Sequence, residues 1–294
     1  MSIEAVQSSF DVPFALGMMN LAEDTALTRT ENLANWIEAR LDEGLHWFDH
    51  ADIYGDRRCE TLFGEALRHR PQLAGRVRVV TKTGIITPQR DSSTPGIKHY
   101  NCTAAYVTAS IDASLQRLGI EHIDHFLIHR PDPLMNAEET AQALDSAIRA
   151  GKIGSAGISN FLPETWRRLQ AAMQHRLGAH QLQLSLSHST PLFDGLFDAL
   201  VGDGQIPMAW SPLGGGQCLS GSLGSTLANM ASEHGVSPAG LALAWLRALP
   251  GQPLPVIGSL KTSRIQQLTQ DANHVIDRSS WFTLLEAARG HEVA

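Results

Sequence analysis

The chain is poor in cysteine. Three occur in 294 residues, Cys59, Cys102 and Cys218, and no Cys-x-x-Cys is present. That argues against a zinc ribbon, a thioredoxin-type site and a disulfide scaffold, and makes a reducing cytoplasm the default location. Long hydrophobic runs are missing too, so no helix is expected to span a bilayer. No basic residue precedes Arg29, so the N-terminus lacks the charged start of a signal peptide. Without secretion the acceptor triplet Asn101-Cys102-Thr103 carries no meaning. Basic charge is in deficit, with 23 Lys and Arg against 30 Asp and Glu, which removes the footprint of a nucleic-acid binder. The phosphate-binding pattern Gly-x-Gly-x-x-Gly, the Walker lysine motif and Gly-x-Ser-x-Gly are all absent.

What remains is ordinary globular material, 43% hydrophobic and 18% charged. Eight short β-rich runs alternate with helical patterns: Phe14–Met19, His46–His50, Val77–Lys82, Ile123–His129, Ile153–Ile158, Gln181–Leu184, Ile206–Trp210 and Leu254–Ile257. In Thr30–Glu43 the residues Leu33, Ile37 and Leu41 recur every four, as do Val107, Ile111 and Leu115 in Ala104–Leu118. Gly44, Gly151 and Gly178 sit where helices should stop. Alternation in this order predicts a parallel sheet. Eight units closing on themselves give a (β/α)8 barrel, the fold class expected here. A doubly wound sheet is the rival, but it usually carries a glycine-rich turn after its first strand. No linker or repeat is visible, so residues 1–294 are expected to form one barrel domain. The surplus length lies in two long inter-strand segments, Gly84–Asn101 and the glycine-rich Gly214–Gly224, and in a tail after the last strand. Long loops without structure of their own are usually functional. Within the tail, Trp281, Leu284 and Leu285 suggest a short amphipathic helix in Asp277–Ala294.

Polar residues at strand ends carry the chemistry. Asp49 ends the second strand, Lys82 the third and His129 the fourth, and Tyr54 follows Asp49 by five residues. Barrel strands end on one rim, so these four can converge. A phenol with a reference pKa of ~10 is a weak acid at neutral pH. A nearby lysine cation is expected to lower that value, and an aspartate to keep the lysine charged. A histidine can hydrogen-bond a substrate oxygen as negative charge builds. The set supplies an acid and an oxyanion stabiliser but no nucleophile, so a hydride must come from a cofactor. A metal site is the competing reading, since the chain has 13 histidines. His125 and His129 lie on one strand with Cα atoms ~13 Å apart, too far for one zinc. No His-Glu-x-x-His occurs, so no metal is expected.

In these motifs the chain resembles the aldo-keto reductase superfamily, in its bacterial oxidoreductase branch, over nearly its whole length. Phe48-Asp49-His50-Ala51-Asp52-Ile53-Tyr54-Gly55 is similar to the family's Asp…Tyr signature, Thr81-Lys82-Thr83-Gly84 to its lysine segment, and Leu127-Ile128-His129-Arg130-Pro131-Asp132 to its histidine segment. Gly157-Ile158-Ser159-Asn160-Phe161 and Trp210-Ser211-Pro212-Leu213 resemble its cofactor segments. The resemblance implies NADPH-dependent reduction of aldehydes or ketones to alcohols. Tyr54 would be the general acid, Lys82 its pKa modulator, Asp49 the lysine's partner and His129 the carbonyl orienter. NADP(H) would lie along the C-terminal rim. Ser159, Asn160 and Gln183 would hold its carboxamide, Trp210 would stack on the nicotinamide, and Met19 and Asn20 would touch it from the first strand. Ser211, Pro212 and Leu213 would line the pyrophosphate. Gly258, Ser259, Lys261, Arg264 and Gln267 would face the adenosine end. Gly258 stands where many members have lysine, and Leu268 where a polar residue is usual, so charge there falls to Arg264 and Lys261. His50 points opposite to Asp49, into the strand–helix layer.

The expected partner is a small carbonyl substrate, with no nucleic acid and no membrane, for a cytoplasmic monomer or weak homo-oligomer. An alternative within the superfamily is an NADP-binding regulatory protein like the potassium-channel β subunits, with little turnover. A cofactor-free barrel enzyme is a third reading.

Overall fold

The protein is described from a computed structural model, covering residues 10–88 and 96–292. The eight expected strands all form. They are β1 (Ala15–Gly17), β2 (Trp47–Asp49), β3 (Arg78–Thr83), β6 (Ile123–Ile128), β7 (Ile153–Ser159), β8 (Ala179–Gln183), β9 (Ile206–Trp210) and β10 (Leu254–Ile257). They close in the order β1-β10-β9-β8-β7-β6-β3-β2. This is a (β/α)8 barrel. Its strands are covered on both faces, as in β3, where every residue after Arg78 is buried, polar ones included.

The chain divides into two compact units, Ala15–His180 and the remainder, with the boundary inside β8. The first unit holds α1 (Thr30–Asp42), α2 (Arg58–His69), α3 (Ala104–Leu118), α4 (Ala137–Arg149) and α5 (Pro163–Ala172). Its parallel register sets the strand ends. Gly17 pairs with Asp49, Asp49 with Val80, and Lys82 with Leu127, so Asp49, Lys82 and the residue after β6 leave the sheet together. The second unit holds α6 (Leu196–Gly202), α7 (Gly221–His234), α8 (Pro238–Arg247), α9 (Thr262–Gln270) and α10 (Arg278–Arg289). Within it the stacked indoles of Trp245 and Trp281 lie 4.8 Å apart. Each indole N–H donates to the other residue's carbonyl, at 3.1 and 2.9 Å, which fastens α10 to α8.

Three expectations need correction. The segment after β3 is not structureless: β4 (Ile85–Ile86) pairs antiparallel with β5 (His99–Tyr100), and residues 89–95 lie outside the described chain. The glycine-rich segment after β9 is a 3-10 stretch, Gly214–Leu219, running into α7. Gly44 and Gly151 do end helices in the left-handed region, but Gly178 has ordinary φ and lies several residues past α5. A Cβ on Gly178 would meet the Ser155 hydroxyl at 2.9 Å, so that glycine serves a close approach. The expected tail helix is α10, capped by Asp277 and burying Leu284 and Leu285. Its last expected residues, 293–294, lie outside the description.

Candidate active site

Asp49 is the last residue of β2 and is buried. The chain then turns sharply. Gly55, Asp56 and Arg57 all have left-handed φ, at +54°, +52° and +70°. Such backbone costs an L-residue roughly 1–2 kcal/mol. Two non-glycine residues bear it here before α2 begins. Gly55 has a second reason to be glycine, since a Cβ there would lie 2.7 Å from the Ala22 Cβ. The turn is closed by backbone bonds from Tyr54 N to Ala51 O (3.0 Å) and from Asp56 N to Ile53 O (3.1 Å). It presents the Tyr54 side chain beside β3 and β6.

Lys82 is fully buried, and its ammonium donates to three oxygens. These are Asp49 Oδ2 at 2.8 Å, the His50 carbonyl at 2.7 Å and the Tyr54 hydroxyl at 3.3 Å. An ammonium has three donors, so its geometry is fully determined. The Tyr54 and His129 rings meet edge to face, 6.1 Å apart. The structure therefore brings Asp49, Tyr54, Lys82 and His129 together. A second polar pair stiffens the same rim: Thr83 Oγ1 donates to Asp52 Oδ2 at 2.7 Å.

The electrostatics differ in one respect from expectation. Burial pushes the Tyr54 phenol above its ordinary value, and this outweighs the downward pull of Lys82, while Asp49 adds to the rise. Sequence spacing reveals the lysine but not the depth of the hydroxyl. For Lys82, burial alone lowers the pKa. Asp49 and then Tyr54 outweigh it, so the ammonium is held above the usual lysine range. His50 faces the strand–helix layer as expected, 4.7 Å from the Phe63 ring, and burial lowers it to about 3. His125 stacks on Trp47 at 5.3 Å and bonds the Ser155 hydroxyl. Among the described residues no group of three His, Cys, Asp or Glu is placed to hold a metal. Likewise, no helix there is long and apolar enough to cross a membrane.

The remaining candidates sit just after barrel strands. In the first unit Met19 is exposed and Asn20 half-buried, both following β1. Ser159 closes β7, and Asn160 has φ +58° with its amide donating to Ser159 Oγ at 2.6 Å. In the second unit Gln183 ends β8, and Trp210 ends β9. Ser211 follows with φ +49°, then buried Pro212 and half-buried Leu213. Gly258 and Ser259 follow β10, and the Lys261 N–H donates to Ser259 Oγ at 3.4 Å. Arg264 is exposed in the first turn of α9, and Gln267 is turned toward Asp271 at 3.2 Å. Left-handed conformations at two non-glycine strand ends are strain of the kind that collects at functional sites. The His50 carbonyl and the Thr83–Asp52 bond are site features that the sequence does not disclose. A main-chain oxygen has no residue-type signal, although the Asp52 in the motif was visible.

A sequence profile of the Aldo/keto reductase family matches residues 13–289. The chain is 40% identical to the 6-dehydroglucose reductase of Agrobacterium fabrum (strain C58), over 95% of this chain and 94% of that one. The thermostable aldo-keto reductase Tm1743, crystallised with the inhibitor epalrestat, superposes with a TM-score of 0.81 at 22% identity, covering 98% of this chain and 99% of that one. An aldo-keto reductase from Klebsiella pneumoniae in complex with NADPH gives a TM-score of 0.76 at 25% identity, with coverage of 92% and 88%. With the profile spanning nearly the whole barrel and the four strand-end side chains gathered at its first unit, the chain belongs to the aldo/keto reductase family.

Proposed function

We propose that this protein is an NADPH-dependent reductase of aldehydes or ketones, with Tyr54 as the general acid. The observation that carries the reading is the Tyr54 hydroxyl within hydrogen-bond reach of a buried, fully coordinated Lys82, with the His129 ring alongside. The 40% identical relative is named a dehydroglucose reductase, and the Klebsiella protein binds NADPH, which supports the same assignment here.

The residues present fit the cofactor. Ser159 and Asn160 form a polar pair with donors and acceptors for a carboxamide, and Gln183 would add a second amide. Ser211 follows the β9 strand end in a left-handed conformation and would line the pyrophosphate, beside Trp210 as the stacking ring. Met19, Asn20, Pro212 and Leu213 would line the cofactor. Lys261 and Arg264 flank the N-terminus of α9, where helix geometry and positive charge favour a phosphate. Gly258, Ser259 and Gln267 complete that end. Bound NADPH supplies the hydride.

His129 would orient the substrate carbonyl by hydrogen-bonding its oxygen. Tyr54 would give its proton to that oxygen as negative charge develops. Its raised pKa keeps the phenol protonated throughout the neutral range. Lys82 then stabilises the phenolate left behind, and Asp49 keeps Lys82 charged and aimed. The test is spectrophotometric. NADPH oxidation is followed with nitrobenzaldehydes, dicarbonyls and 6-dehydroglucose. Tyr54→Phe should lose about a hundredfold or more in kcat, while the NADPH-induced rise in melting temperature persists. Equal rates for wild type and Tyr54→Phe would overturn the assignment of the acid.

A further inference from the structure

Thr83 is the last residue of β3, and the proposed mechanism leaves it without a role. It is fully buried and joined to every segment that carries a proposed catalytic side chain. It follows Lys82 directly in the chain. Its carbonyl accepts from the His129 N–H at 2.7 Å, which sets where the chain leaves β6. Its hydroxyl donates to Asp52 Oδ2 at 2.7 Å, a length typical of a bond to a carboxylate. Asp52 is buried as well and stands two residues before Tyr54. Beyond the end of β2 the backbone still holds to β3. The His50 N–H donates to the Val80 carbonyl at 2.7 Å, and the Asp52 N–H to the Lys82 carbonyl at 2.9 Å. Asp52 is then the first corner of the turn that the Tyr54 N–H closes on the Ala51 carbonyl, at 3.0 Å. The Thr83–Asp52 bond thus pins that corner to the strand that carries Lys82. Thr81, on the same face of β3, turns its hydroxyl to Glu60 on α2 instead, at 2.6 Å.

Left-handed backbone at Gly55, Asp56 and Arg57 follows Tyr54 at once. Strained backbone persists only where its surroundings over-determine it. The Tyr54 hydroxyl lies 3.3 Å from the Lys82 nitrogen, at the long end of hydrogen-bond range, so a drift of about half an ångström breaks the contact. A strained turn with so little margin needs an anchor. We infer that Thr83 and Asp52 are positioning residues: their bond holds Tyr54 against Lys82 and beside His129, and so sets the rate of proton transfer although neither side chain touches the substrate. This rests on the reductase reading of Tyr54.

Thr83→Val keeps the β-branched shape and removes the hydroxyl, while Thr83→Ser keeps the hydroxyl. With NADPH and 4-nitrobenzaldehyde, Thr83→Val should lower kcat by about tenfold or more, because a small misplacement of a reacting group is costly. Thr83→Ser should keep at least about a third of the wild-type kcat. The Kd for NADPH should stay within about twofold of wild type in both, since the defect lies in the chemical step. Thr83→Val leaves the buried Asp52 carboxylate without this donor, which endangers folding. Asp52→Ala cuts the same bond from the other side and removes the buried charge, and it should lose kcat to the same extent. The double variant should be no slower than the slower single one, because both changes act through one bond. A wild-type kcat in Thr83→Val or Asp52→Ala, an equal loss in Thr83→Ser, or additive losses in the double variant would overturn the proposal. A readout without turnover uses the chain's three tyrosines, Tyr54, Tyr100 and Tyr106. Replaced by 3-fluorotyrosine, they give separate fluorine resonances, and Tyr54→Phe identifies the one from Tyr54. Thr83→Val and Asp52→Ala should shift or broaden that resonance, Thr83→Ser should not, and the resonance of Tyr106 on α3 should stay in place. An unmoved Tyr54 resonance overturns the positioning role even if no carbonyl is turned over. A moved resonance together with a Tyr54→Phe variant as active as wild type would uphold the positioning and count against the reductase reading alone.

Discussion

His50 carries both ring nitrogens into a fully buried place where neither has a hydrogen-bond partner. Its neighbours are the Phe63 ring and the charge of Lys82, so the imidazole is held neutral, with its pKa lowered to about 3 by burial and then by Lys82. A histidine that binds its proton less readily folded than unfolded stabilises the fold fully above the unfolded value of ~6.5. That stability is lost as pH falls from there toward about 3. His125, lowered to about 4 by its own burial, acts in the same direction. Urea midpoints measured at pH 7 and pH 5 should therefore fall on acidification. His50→Phe keeps an aromatic contact with Phe63 and removes the titration, so its midpoint should fall less. An identical fall in both proteins would show that His50 does not contribute.

At the scale of elements, α2, α3 and β3 are joined by one buried carboxylate. Glu60 on α2 is fully buried, and it accepts from Thr81 Oγ1 on β3 at 2.6 Å and from Arg117 Nε on α3 at 2.7 Å. Ser114 adds a longer bond at 3.4 Å. Thr81 immediately precedes Lys82, so this knot also fixes the strand that carries the ammonium. Arg117→Ala would leave Glu60 buried without its cation and should destabilise the protein by about 3–5 kcal/mol. Chemical denaturation measures this, and a loss under 1 kcal/mol would mean that water compensates. Such knots are invisible in sequence. Thr81, Ser114 and Arg117 are polar residues on apolar-patterned elements, and nothing in their spacing tells that one carboxylate gathers them. The barrel strands were legible for the opposite reason. Runs such as Val77–Val80 and Phe126–Ile128 are short, mostly apolar and rich in β-formers, and glycine-terminated helices separate several of them. The two-residue strands β4 and β5 have no period to read. Tyr54 was legible by motif, but the sign of its pKa shift depends on burial by distant segments, which a motif does not contain.

For the whole molecule, the closed strand order runs through all eight barrel strands, although the chain divides into two compact units at β8. We propose that residues 1–294 nonetheless fold as one domain, because a barrel strand order leaves no free edge at which half could stop. Calorimetry should show one transition with equal calorimetric and van't Hoff enthalpies. Two resolved transitions would assign the units separate stabilities. Saturating NADPH should move that single transition upward.

The coordination of Lys82 has a consequence for chemical durability. A neutral lysine attacks a free aldehyde's carbonyl carbon with its nitrogen lone pair, forming a carbinolamine that loses water to an imine. The Lys82 nitrogen offers no such lone pair. Asp49, the His50 carbonyl and Tyr54 take its three protons, and the surrounding charges hold those protons above the usual lysine range. A protein whose proposed task is to receive reactive aldehydes thus keeps its nearest amine locked against condensation with them.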